Sequence, residues 1–226
     1  TILSQLVSAV LVLFILMRSD RSYHLNLKKI RIQPDYLKKM IYIGLPAGMQ
    51  SAMYNISNII IQSSVNSFGT DTIAAWTAYG KVDVFFWMVI NALGISITTF
   101  VGQNYGAGKK DRIYKSIRIC LLISVCITVF ITFLLLFTGR YILLLFTGDA
   151  GVLAIGMRIL RFLVPTFITY ICIEIFSGAL RGTGDCWVPM IMTALGVCVL
   201  RVVWILIAVP LHRDILTVAF SYPLTW

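Results

Sequence analysis

Two carboxylates stand where a lipid bilayer leaves little water. Asp83 lies in the apolar run "AAWTAYGKVDVFFWMVINALGISITTF" and Glu174 in "RILRFLVPTFITYICIEIFSGALRG". An ionisable residue at such depth costs roughly 2.5–3.5 kcal/mol on insertion scales, which makes each a candidate functional group. Two chemistries suit them as ion-coupling residues: reversible protonation, or binding of Na⁺, a hard cation that prefers oxygen ligands. A third reading is structural pairing, with Lys81 and Arg201 as candidate countercharges. Lys81 is two residues from Asp83 and about 200° around a helix, so the two cannot easily pair within one helix.

Amides accompany the carboxylates. In "SAMYNISNIIIQSSVN", Ser51, Asn55, Asn58, Gln62 and Asn66 follow one another at steps of 4, 3, 4 and 4, one face of a helix. The next run repeats the arrangement with Gly80, Asp83, Trp87, Asn91, Gly94 and Thr98. An unpaired polar group in hydrocarbon costs several kcal/mol, so these faces meet protein or water. Ser51, Asn55, Asn58, Gln62, Trp87 and Asn91 are therefore candidate lining of an aqueous cavity, with interhelical hydrogen bonding as the alternative. Tyr54, Trp76 and Tyr79 are aromatic neighbours that a drug-sized cavity can also use.

The elements that must carry these residues are membrane spans. The 226 residues are 59% hydrophobic and 12% charged, with mean hydropathy +0.89, against roughly 25% charged in soluble domains. Full spans are predicted over about 41–68, 73–100, 113–138, 156–179 and 187–209, with partial ones at 1–17 and 215–226. Pro165 should kink or break the fourth full span. Residues 141–146, "YILLLF", are too short to cross and are assigned to the interface. Asp35 after Pro34 can start a short amphipathic helix in the polar stretch 18–40. Both ends fall in apolar runs, which reads as part of a longer polypeptide.

Charge orients the spans. The connections 18–40, 101–118 and 180–186 hold most of the 19 basic residues, while Arg140, Arg158, Arg161 and Arg213 mark the other side. The positive-inside rule makes the first set cytoplasmic. Basic residues placed between spans also argue against a nucleic-acid partner; the bilayer is the partner implied. Cys120, Cys126, Cys172, Cys186 and Cys198 show no metal or disulfide spacing and read as small apolar packers, and His24 and His212 as surface histidines. No nucleotide-binding or hydrolase motif occurs, and no catalytic constellation is visible, so neither an enzyme nor a cofactor is expected beyond Na⁺ or H⁺ as coupling ion.

Three connections are more specific. "GLPAGMQSAMYN" carries Gly44 and Pro46; "VGQNYGAGKKDR" carries Gly102, Gln103, Asn104, Gly106 and Gly108; "SGALRGTGDCWVP" carries Arg181, Gly182, Gly184 and Asp185. Together they resemble the multidrug and toxic compound extrusion (MATE) family of secondary transporters. Gly102, Gly106 and Gly108 are expected to form a tight turn, and Gly182 with Gly184 a reversal at positive φ. The resemblance implies an all-α polytopic fold of twelve spans in two six-helix lobes. Residues 1–17 then correspond to the end of a sixth helix, 18–40 to a basic cytoplasmic linker, and 41–226 to the C-terminal lobe; the N-terminal lobe is the implied partner.

The resemblance also implies antiport: export of organic, often cationic, compounds across the cell (plasma) membrane against Na⁺ or H⁺. Family acids in the eighth and tenth helices correspond to Asp83 and Glu174, whereas the seventh helix here has Gln50, Asn55 and Asn58 and no acid. The rival expectations are a flippase for lipid-linked oligosaccharides, which needs cations in its cavity, and a non-transporting scaffold with dry, packed polar faces.

Overall fold

The computed structural model describes residues 2–18 and 31–226. Arg21, His24, Lys28 and Lys29 of the basic stretch lie outside the described residues. Among the described residues the chain is all-α. It consists of α1 (Ile2–Arg18), α2 (Pro34–Asn66), α3 (Thr70–Gly106), α4 (Lys110–Leu144), α5 (Ala150–Leu163), α6 (Phe167–Thr183), α7 (Trp187–Thr193), α8 (Arg201–Leu211) and α9 (Ile215–Thr225). A 3₁₀ turn, Val164–Thr166, joins α5 to α6, and a π-helical segment, Ala194–Leu200, joins α7 to α8.

Among the described residues, four stretches are long and apolar enough to cross a membrane: Thr70–Gly106, Lys110–Leu144, Ala150–Thr183 and Trp187–Leu211. The 33 residues of α2 suffice in length, but its row of amides dilutes the apolar character. The second, third and fourth full spans run further at both ends than the apolar pattern alone predicts, because their ends continue as helix into the polar zone. Pro34 begins α2 itself, so no separate short helix precedes the span, and Pro46 lies buried inside it. Residues 141–144 are likewise the last turn of α4, not a detached interfacial segment. Pro165 interrupts its span as expected, through a single 3₁₀ turn.

The chain divides into two compact units, Thr1–Tyr42 and Ile43–Trp226. In the first, α1 buries none of its residues. In the second, α3 is the central helix and packs against α4, α5 and α6. Its core face carries Ala75, Val82, Phe86, Ile90, Ile97 and Val101, all buried. Phe86 stacks on Phe167 of α6 with ring centroids 4.0 Å apart. Outward residues such as Phe130, Phe137 and Leu206 are exposed apolar side chains, as lipid contact requires.

The motif glycines divide into two kinds. Gly108 (φ 70°) and Gly184 (φ 91°) adopt the left-handed conformation, at the α3–α4 turn and the C-cap of α6. Gly102, Gly106 and Gly182 are helical instead, which corrects the expectation that they form the turns. Gly102 and Gly182 lie where α3 and α6 pass backbone to backbone: a Cβ on Gly182 meets Thr98 O at 2.6 Å, and one on Gly102 meets Gly182 O at 3.2 Å. Asp185 starts α7, accepting from the N–H groups of Trp187 and Val188 at 3.1 and 3.3 Å. Replacing Gly184 with alanine forces a Cβ into left-handed backbone and should cost about 1–2 kcal/mol, measured as a lower unfolding temperature of the purified protein.

Candidate functional site

The polar faces of α2 and α3 meet two cavities in the second unit. One, of about 540 Å³, is bordered by Asn58, Gln62, Asp83, Trp87, Arg201 and Tyr222. The other, of about 360 Å³, is bordered by Gln50, Ser51, Thr98, Glu174, Ser177 and Arg181. Tyr54, Asn91 and Tyr170 border both and form the wall between them. The first lies nearer the C-terminal end of α2, the second nearer the glycine-rich ends of α3 and α6.

The two carboxylates are held differently. Glu174 has both oxygens engaged: Oε2 accepts from the Tyr170 hydroxyl at 2.9 Å and Oε1 from Arg181 Nη2 at 3.0 Å, an ion pair. The donors sit at i−4 and i+7 on the same helix, so α6 itself positions them. Asp83 has one oxygen engaged: Oδ2 accepts from Trp87 Nε1 at 2.6 Å, again one turn along the same helix. Its Oδ1 is buried with no hydrogen-bond partner. A buried oxygen without a donor is costly if the group is ionised. With the Tyr79 hydroxyl one turn back as its other polar neighbour, Asp83 is thus the less fully satisfied acid of the site.

Neither expected countercharge reaches Asp83. The ion pairs among the described residues are Arg158–Asp214 and Arg181–Glu174. Lys81 is exposed and borders neither of these cavities, because two residues of helix turn it away from Asp83. Arg201 is 2% exposed and turned to α9. There its Nε and Nη2 lie 3.2 and 2.6 Å from Thr225 Oγ1, and its guanidinium carbon sits 4.5 Å from the Tyr222 ring centroid. A cation over an aromatic face is stabilised without a carboxylate. Arg201 and Asp83 therefore border one cavity as separate charges.

The amides largely satisfy themselves along their own helices. Asn55 donates to Ser51 O at 3.0 Å, Gln62 to Asn66 Oδ1 at 2.9 Å, and Asn91 to Trp87 O at 2.8 Å. Ser51, Asn55, Asn58 and Gln62 are exposed, not sealed in packing. Asn55 borders neither of the two cavities. The interhelical polar contacts of α2 come from a different face: Gln50 donates to Thr193 Oγ1 at 2.7 Å and Ser57 to the Val197 carbonyl at 2.9 Å. Ser57 thus docks on the π-helical segment that immediately precedes Arg201. Tyr170, Tyr222 and Arg181 join the site without having been singled out for it. Tyr170-x-x-x-Glu174 is a readable i, i+4 pair, but Tyr222 comes from a helix remote in sequence and left no local signal.

Comparison with known proteins completes the assignment. Among curated relatives, the probable multidrug resistance protein YoeA of Bacillus subtilis is 24% identical over 164 residues, covering 73% of this chain and 35% of the relative. The probable multidrug resistance protein NorM of Thermotoga maritima is 22% identical over 204 residues, covering 89% and 43%. The chain thus spans about a third to under half the length of these relatives. Among solved structures, a MATE protein crystallised in complex with MaL6 superposes with a TM-score of 0.86 at 16% identity, over 99% of this chain and 51% of that one. An outward-facing multidrug resistance MATE family transporter of the MOP superfamily gives 0.78 at 19% identity, over 83% and 42%. The fold is that of an all-helical, multi-pass membrane protein, and because residues 46–207 match the MatE family profile, this chain belongs to the MatE family.

Proposed function

We propose that this chain forms one lobe of a secondary active antiporter that exports organic compounds, often cationic, in exchange for Na⁺ or H⁺. The single observation that carries the reading is the bare Oδ1 of Asp83 beside a cavity of about 540 Å³ lined by amides and aromatic rings. A proton or small cation at that oxygen relieves an unsatisfied buried acceptor. Binding biases the transporter between states to the extent that one state offers the better site. Glu174, already held by Tyr170 and Arg181, serves the second cavity and requires the loss of an ion pair before it takes a cation. Asn58, Gln62, Trp87 and Asn91 supply acceptors, donors and an apolar wall for cargo.

In this reading residues 1–17 close a first lobe, 18–40 link the lobes on the cytoplasmic side, and 41–226 rock against that first lobe in alternating access across the cell membrane. Because Lys81 lies outside the cavities, the cations left to hold a pyrophosphate are Arg201, turned to Thr225 and Tyr222, and Arg181, already paired with Glu174, which supports the antiporter reading over a lipid-linked oligosaccharide flippase. The test is transport by the complete protein in sealed vesicles. Cationic dye should move against an imposed Na⁺ or pH gradient and stop when the gradient is collapsed with an ionophore. Dye movement indifferent to both gradients sinks the proposal.

A further inference from the structure

A groove of about 450 Å³ runs between α3 and α4 on a face that takes no part in the two polar cavities. Its walls are apolar, from Leu93, Ile97 and Phe100 of α3 and Ile119 and Ile123 of α4. Arg112 and Lys115 stand at its mouth. Both cations are exposed, and their side chains have no hydrogen bond or ion pair among the described residues. They lie three residues apart and so share a face of α4, whereas Asp111 is about 100° around the helix from Arg112. From Arg112 to Ile123 the helix rises about 16 Å at 1.5 Å per residue. That matches half of a hydrocarbon core roughly 30 Å thick. The groove therefore begins with paired positive charge at headgroup depth and continues as hydrocarbon to mid-bilayer. A soluble anion has no use for the apolar part, and a neutral lipid has none for the two cations.

We propose that this groove is a binding site for one anionic phospholipid, its phosphate on Arg112 and Lys115 and an acyl chain between α3 and α4. Basic pockets between spans on the side of the basic connections recognise such headgroups. The inference concerns the lipid-facing surface and is independent of cargo and coupling ion.

Native mass spectrometry of the complete protein, delipidated in detergent and titrated with phosphatidylglycerol, tests it. Wild type should retain one phosphatidylglycerol in preference to phosphatidylcholine. Arg112→Gln with Lys115→Gln should weaken that retention roughly thirtyfold, from about one Lys/Arg interaction lost per substitution. Lys109→Gln with Arg118→Gln removes the same charge from the same helix end outside the groove, and retention should hold. Ser96→Trp, which fills the groove and leaves every charge in place, should abolish retention. Equal weakening in both charge variants shows diffuse attraction only and overturns the site, as does undiminished retention in Ser96→Trp. Displacement of the lipid by inorganic phosphate at equal concentration overturns the acyl-chain component.

Discussion

In the antiporter proposed above, Asp83→Asn should cut gradient-driven export at least about tenfold while leaving the protein folded and in the membrane. The substitution keeps the size of the side chain and an oxygen able to accept from Trp87 Nε1, 2.6 Å away in the native protein. What it removes is the charge and the exchangeable proton at the oxygen that has no partner. Coupling between two ligands through a conformational equilibrium is worth about 1–3 kcal/mol, or 5–150-fold, and a residue that carries the coupling should forfeit most of that. Glu174→Gln should cost less on its own, because Glu174 is committed to Tyr170 and Arg181. The measurement is ethidium efflux from cells expressing each variant at matched membrane levels. Unchanged efflux in the Asp83→Asn/Glu174→Gln double variant removes both carboxylates from the mechanism.

The second large effect belongs to stability. Gly182→Val should destabilise the lobe by about 3 kcal/mol or more, and Gly182→Ala by about 1–3 kcal/mol, since overpacking of this size forces backbone shifts. The new Cβ falls 2.6 Å from the carbonyl oxygen of Thr98 and 2.9 Å from Val101 Cβ, and backbone cannot step aside as a flexible side chain can. One turn earlier Gly178 has the same character, its added Cβ meeting Gly94 O at 2.9 Å. Thr98 Oγ1 ties the seam, 2.7 Å from Gly94 O and 2.9 Å from Gly178 O. Small residues four apart let membrane helices approach in this way. Gly48→Ala is the contrast: it lies inside α2 with nothing within 4 Å of an added Cβ, so helix propensity makes it neutral or stabilising by up to about 1 kcal/mol. Thermal unfolding in detergent, followed by tryptophan fluorescence, distinguishes them. Equal midpoints for Gly182→Ala and Gly48→Ala would show that α3 and α6 are not in close apposition.

By itself the sequence determined the helices, because hydrophobic runs bounded by basic or glycine-rich connections leave a chain in lipid little choice but to close its hydrogen bonds within each span. It also determined which faces are polar, since a step of three or four residues is a property of the helix alone. The break at Pro165 follows from a missing N–H and a fixed φ, both local facts. Tertiary structure decided everything that depends on which helix lies next to which. It turned Arg201 away from Asp83 and onto Tyr222 and Thr225, whereas the partners of Glu174 and the Trp87 bond of Asp83 come from their own helices. It moved Gly102 and Gly182 from the turns, where glycine suggests backbone freedom, into a seam where the absence of a Cβ sets the distance between helices. The reason is the same in each case: helical periodicity fixes the direction of a side chain around its own axis, and only packing fixes what stands in that direction.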